Sequence, residues 1–181
     1  MAVRPIVRAD NPLLRQKSKK VKRFGQALQN LIDDMVETMH AVHGLGLAAP
    51  QVGVSQQVIV VQLPEDDEED PQSGKLYVLC NPEIVRTAGE GEESEEGCLS
   101  VPGFAGDVRR AAVVTVKGLD RHGKKMRIKA EGLLARAFQH EIDHINGVLY
   151  IDRVDSPEKI RRIVAVEEQE PQETSQEEPA L

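Results

Sequence analysis

The sequence predicts an α+β fold, with mostly antiparallel strands packed around a buried helix that carries an HExxH motif. Three observations lead there. Two segments, Gly25 to Ala41 and Leu133 to Ile145, show helical spacing of apolar residues. Between them lie several short runs rich in Val, Ile and Leu, joined by turn signals rather than by helices. The second helical segment contains His140-Glu141-Ile142-Asp143-His144, which places two imidazoles one turn apart on one face.

In the first helix Leu28, Leu31, Ile32, Met35, Val36 and Met39 form one stripe, so the methionines read as core. His40 and His43 follow at the helix end without an acid partner and are not taken as ligands. Gly44-Leu45-Gly46-Leu47-Ala48-Ala49 contains GxGxxA. A dinucleotide fingerprint needs a strand before it and a helix after it; here a helix precedes, and Pro50 biases Ala49 towards extended backbone.

Val58 to Val61 reads as a buried strand. Leu76 to Cys80 reads as another, closed by Asn81-Pro82, with Glu83 to Thr87 as a shorter candidate. Residues 64–74 between the first two form an acidic loop with Pro64, Pro71 and Gly74. Ala112 to Leu119 and Lys124 to Ala130 flank a hairpin turn, Asp120 to Gly123, with His122 exposed in it. In the second helix Leu134, Phe138, Glu141 and Ile145 share one side, and Leu133, Ala137, His140 and His144 lie beside them. Asn146-Gly147 ends it as a left-handed cap. Ser156-Pro157-Glu158 predicts the start of a third helix.

At 181 residues the chain predicts one catalytic domain over 1–166 and a disordered acidic tail over 167–181. The net charge of -7 is uneven. Glu65 to Asp70 is a run of six acids, and the tail holds six more with no Lys or Arg. Without those twelve the body carries 23 basic against 18 acidic residues. Eight Lys or Arg fall in the first 23 positions, but aromatic residues do not interleave with them, so they read as a basic surface. No stretch is apolar enough to span a bilayer, and no signal-peptide core stands at the N-terminus. Two cysteines make no disulfide framework. A cytoplasmic protein with reduced thiols, no membrane and no DNA partner is expected.

His140 and His144 can converge on one metal ion while Glu141 projects beside it, an arrangement suited to hydrolysis. A catalytic site of this kind needs a third ligand. Downstream, Glu158, Glu167 or the tail acids are available, as a zincin-type metallo-endopeptidase would use. Upstream stands Cys98, among small and turn-forming residues. Cys80 ends an apolar strand and reads as a buried hydrophobe. A structural metal site in a binding domain is the third reading; it leaves Glu141 and the Gly44 to Gln51 loop without a purpose.

Three stretches together carry a resemblance: Gly44-Leu45-Gly46-Leu47-Ala48-Ala49-Pro50-Gln51, Glu96-Gly97-Cys98-Leu99-Ser100 and Gln139-His140-Glu141-Ile142-Asp143-His144. In order and content they resemble the GxGxAAxQ, EGCLS and QHExDH motifs of the peptide deformylase family, from about Val7 to Val154. The resemblance implies removal of the formyl group from the N-terminal formyl-methionine of nascent proteins, releasing formate. It implies Cys98, His140 and His144 as metal ligands and Glu141 as general acid/base. It further implies Gln51 and the Leu99 N–H as oxyanion donors, and Gly46 as a backbone partner of substrate. The implied metal is one divalent ion, Fe2+ first, with Zn2+, Ni2+ or Co2+ able to occupy the site.

Methionine selectivity needs an apolar pocket, for which Leu133, Ala137 and Leu45 are the candidate walls. Glu96 is expected to pair with Arg109 or Arg110 and brace the Cys98 loop. The expected partners are an N-formyl-methionyl peptide and, transiently, the ribosome, through Lys159, Arg161 and Arg162 on the last helix.

Overall fold

The computed structural model describes residues 2–65 and 71–163. Asp66 to Asp70 of the acidic run, and the tail over 167–181, lie outside the described residues.

Helix α1 spans Gln26–Ala41. It is followed by β1 (Gly46–Ala48), β2 (Val58–Gln62), β3 (Leu76–Gly97), β4 (Phe104–Leu119) and β5 (Lys125–Glu131). Helix α2 spans Gly132–Ile145, and β6 spans Ile160–Arg162. The strands form one sheet in the order β1-β2-β3-β4-β5, every pair antiparallel. β3 runs along one edge of β4. The other edge of β4 is shared: Val113–Leu119 pairs with β5 and Phe104–Gly106 with β6. The α+β class expected from the sequence is the observed one.

β2 explains how two helices serve one sheet. Strand side chains alternate between faces. Val58 and Val60 pack with Leu31, Ile32, Met35 and Met39 of α1, while Ile59 and Val61 pack with Leu134, Phe138 and Ile145 of α2. A strand buried on both faces reads as a continuous apolar run. Cys80 belongs to the α1 side, where burial pushes its thiol up to about 11. It is a core residue, as the sequence suggested.

Three expectations are corrected. Leu76 to Cys80 and Glu83 to Thr87 are one strand, not two. Asn81 adopts φ 52 and the register slips between Cys80 and Glu83, so Asn81-Pro82 makes a bulge rather than a stop. The Asn81 side chain holds the bulge by bonding both the N–H and the carbonyl of Val21. β4 begins eight residues earlier than expected, at Phe104. Third, no helix starts at Ser156. Pro157–Lys159 makes a single 3-10 turn, Ser156 gives no side-chain cap, and the chain extends into β6 on the open edge of β4. With no apolar stripe to bury, this segment gains more from strand pairing than from a helix.

After α2 the chain turns sharply. Gly147 has φ +78, and its Cα lies so close to Arg15 that a methyl group there would sit 2.7 Å from the Arg15 carbonyl. Only glycine fits both demands. No helix among the described residues is long and apolar enough to cross a membrane.

Candidate active site

Three elements converge beside the sheet. β3 ends at Gly97, and Cys98 opens a turn closed by the Val101 N–H donating to the Cys98 carbonyl. Gln51 stands in the 3-10 turn Ala49–Val52 that follows β1. His140, Glu141, Asp143 and His144 stand on α2. The N-terminal segment ties the first two together: the Val7 N–H donates to the Gln51 carbonyl and the Ala9 N–H to the Ser100 carbonyl.

The ligand-type atoms of Cys98, His140 and His144 all lie within 4.8 Å of one another. Cys98 Sγ is 3.2 Å from His144 Nε2. This is the only cluster of that composition found among the described residues, and Glu158, the downstream alternative, is exposed in the Pro157–Lys159 turn away from it. A pocket of about 450 Å³ opens in front of the cluster. It is lined by Leu45, Gly46, Gln51, Cys98, Leu99, Leu133, Ala137, His140 and Glu141, with His144 buried behind. Leu45 and Leu133 stand at the mouth, 37% and 49% exposed, while Ala137 is buried deeper.

Behind the histidines lies a buried ionic network. Arg110 forks onto Glu96, Nε to Oε1 at 2.8 Å and Nη2 to Oε2 at 2.9 Å, and its Nη1 donates to Asp143 at 2.6 Å. Arg136 adds a bond to Glu96 and Arg153 two to Asp143. His140 Nδ1 lies 2.9 Å from Glu96 Oε2. Burial raises the Glu96 carboxyl, but Arg110 and His140 outweigh it and bring it down to about 2. An ionised carboxylate only accepts, so Nδ1 of His140 carries a proton in its bond to Glu96, and Nε2 is the nitrogen left to face Cys98.

The two imidazoles are driven apart. Burial lowers His140, but bonding to Cys98 and Glu96 raises it to about 10; burial and the neighbouring His140 push His144 well below the usual imidazole range. Burial lifts Glu141 to about 7, with Glu96 acting the same way and His140 and Arg110 opposing. Glu141 Oε2 and His144 Nδ1 are buried without a hydrogen-bond partner among the described residues.

Gln51 is oriented by the backbone of Ala48. The Ala48 N–H donates to its Oε1 at 2.8 Å, which turns its Nε2 towards Ser100 Oγ at 3.3 Å and Cys98 Sγ at 3.6 Å.

The polypeptide deformylase family model matches residues 3–160. The chain belongs to this family. It is 47% identical to the peptide deformylase of Dehalococcoides mccartyi strain CBDB1 over 90% of this chain and 93% of that one. To the peptide deformylase of Halothermothrix orenii it is 54% identical, over 85% and 95%. The peptide deformylase crystal structure from Legionella pneumophila superposes with a TM-score of 0.79 at 48% identity, covering 87% of this chain and 89% of that chain. The Ehrlichia chaffeensis peptide deformylase in complex with actinonin gives 0.82 at 42%, covering 88% and 92%.

Of the two arginines expected to pair with Glu96, Arg110 forks onto it, while Arg109 reaches Glu93 and the Gly91 carbonyl at the surface. Other residues of this deformylase fold had no role in the sequence reading. Arg136 and Arg153 were not singled out. Gln139 bonds both the N–H and the carbonyl of Ala111, clamping α2 to β4 beside the site. The signal for Asp143 was present: an acid next to His144 on a helix whose other face is apolar needs a buried cation.

Proposed function

We propose that this deformylase hydrolyses the formamide of an N-terminal formyl-methionine, releasing formate and a free amine, with Cys98, His140 and His144 holding a divalent metal. The observation that carries this is the convergence of those three residues beside Glu141 and Gln51.

The donors suit a metal. One sulfur and two imidazoles make a three-ligand set with a position left open, the composition of a catalytic rather than a closed site. Glu96 holds His140 in the tautomer that offers Nε2, and the unpartnered Glu141 Oε2 needs a polar companion in the pocket. Ferrous iron is the proposed ion, with zinc, nickel or cobalt able to use the same mixed donors. A divalent cation bound there supplies Lewis acidity, which acidifies a water and polarises the formyl oxygen.

The chain's own residues do the rest. Glu141 takes the proton from the attacking water and later delivers it to the departing amine. Gln51 Nε2, fixed by the Ala48 N–H, and the Leu99 N–H donate to the oxygen that gains charge as the carbonyl carbon becomes tetrahedral. The Gly46 backbone aligns the peptide. Ala137, with Leu45 and Leu133 at the mouth, receives the methionine side chain.

Residues 1–166 act as one catalytic unit in the cytoplasm. A transient ribosome contact would not use Lys159 and Arg161, which are already paired with Glu93 and with Glu95 and Asp107. Arg162, the third residue expected there, is exposed and has no ion pair among the described residues, and the exposed Lys19, Lys20, Lys22 and Arg23 are further available cations. Unchanged ribosome co-sedimentation after Lys19→Glu with Lys20→Glu would remove them from that role.

The test of the function is formate release from formyl-Met-Ala-Ser. It should follow metal content through chelation and reloading. A fully metal-loaded chain that releases no formate would overturn the reading.

A further inference from the structure

Outside the catalytic pocket, four cations stand around a groove of about 770 Å³: Lys19, Lys20, Lys22 and Arg23, with Val54, Ser55 and Gln56 completing its lining. None of these residues lines the pocket in front of Cys98. All four cations are exposed, no acid lines the groove, and none of the four has an ion pair among the described residues. Like charges gathered without counter-charges repel one another, so the arrangement works against stability.

The backbone that carries them is fixed. The Lys19 N–H donates to the Ser55 carbonyl at 3.2 Å, and the Gln57 N–H donates to the Lys19 carbonyl at 2.8 Å. Between the two pairs of cations Val21 is buried in the core on the α1 side. Its N–H and carbonyl are both taken by the Asn81 side chain, at 2.8 and 2.9 Å. Asn81 does this from a left-handed backbone, φ 52, which is unfavourable for a residue that carries a side chain. The β3 bulge therefore clamps the cationic segment at its middle. A fold that tolerates both the repulsion and the strain presents ordered cations to solvent.

A row of fixed cations fits a row of phosphates, which it binds by releasing their counterions. No aromatic residue lines the groove to stack on unpaired bases, so a duplex suits it better than a single strand. We infer that this groove binds the phosphate backbone of duplex RNA, with the Asn81–Val21 clamp holding its cations in place. The inference deepens the ribosome contact proposed above, on which its place in the cell rests, and is independent of the formyl chemistry.

Binding of the full chain to a fluorescein-labelled RNA duplex of about 16 base pairs is measured by anisotropy between about 50 and 200 mM salt. With four phosphates neutralised, log K should fall against log salt with a slope of about -3 to -4. Lys19→Glu with Lys22→Glu should weaken binding at least about 10-fold and reduce the slope by about 2, one for each lost contact. Asn81→Gly keeps every charge and accepts the same backbone, but removes the clamp; affinity should fall about 3- to 10-fold with the slope unchanged. Lys125→Glu with Arg127→Glu makes the same change in net charge on the exposed edge strand β5, outside the groove, and should leave affinity within about twofold. Formate release from formyl-Met-Ala-Ser should stay at the wild-type rate in all three variants, which shows that each is folded. Equal weakening at both surfaces, or wild-type binding by Asn81→Gly, overturns the inference. Displacement of the duplex by inorganic triphosphate at the same phosphate concentration assigns the groove to a small anion and overturns it as well. Duplex binding in these terms stands even for a chain that does not co-sediment with ribosomes, so the two readings fail separately.

Discussion

Gly46 and Glu141 fit together only because position 46 has no side chain. A methyl group there would sit 2.5 Å from Glu141 Oε1 and 2.9 Å from its Cδ and Cγ. The edge strand β1 thus lets a buried carboxylate lie directly against its backbone. Gly46→Ala must push Glu141 off its position in front of Cys98. Misplacing a catalytic group by about 1 Å costs on the order of 100-fold, so kcat should fall by about that much while metal content stays the same. A Gly46→Ala enzyme within twofold of wild type would separate the two residues.

Gln51 owes its direction to the Ala48 N–H, which occupies its oxygen and leaves its nitrogen facing the pocket. Gln51→Ala removes one donor to the developing oxyanion. The expected loss is about 100- to 1000-fold in kcat, with little change in KM, because the donor acts on charge that the ground state lacks. A loss confined to KM would assign Gln51 to ground-state binding instead.

Arg110 is the buried cation that two carboxylates share. Arg110→Met leaves Glu96 and Asp143 short of a partner in a place with little water. Removing one member of a buried ionic group costs about 3–5 kcal/mol, measurable by urea unfolding of the metal-free protein. Because Glu96 orients His140, metal affinity should also drop about 10- to 100-fold. Unchanged affinity in a folded variant would show that the network is structural only.

Glu96 also sets a pH dependence. Its folded value, about 2, lies below its ordinary 4.5. The unfolded chain therefore binds the proton first as pH falls. The stabilisation is complete above about pH 4.5 and is lost as pH drops through about 2, with a total of about 3 kcal/mol. Between pH 6 and pH 3, metal-free Glu96→Gln should lose about 2 kcal/mol less than wild type in urea unfolding. Parallel losses in the two proteins would place the acid sensitivity elsewhere.

The helices and the β4–β5 hairpin were legible because their signals are local: an apolar stripe in α1 and α2, and Asp120 to Gly123 between two strands. The Asn81 bulge was not, because its left-handed backbone is held by Val21, sixty residues away. β6 was misread for a related reason. Ser156-Pro157 is a valid local helix start, but the open edge of β4 that captures Ile160–Arg162 is a property of the assembled sheet. At the site, the residue types that meet substrate stand in short motifs. Of the cations that brace them, Arg110 on β4 was one of two named candidates for Glu96, whereas Arg136 on α2 and Arg153 after it were missed, because nothing in their immediate neighbours marks them.

The central claim is that Glu141 moves protons beside a metal held by Cys98, His140 and His144. Glu141→Gln keeps the size of the side chain and removes its basicity. Metal content and formate release should be measured on the same anaerobic preparation. The expected result is metal occupancy equal to wild type with formate release reduced at least about 100-fold, the lower end of what a general acid/base contributes. A Glu141→Gln chain that keeps its metal and releases formate at the wild-type rate would contradict the mechanism.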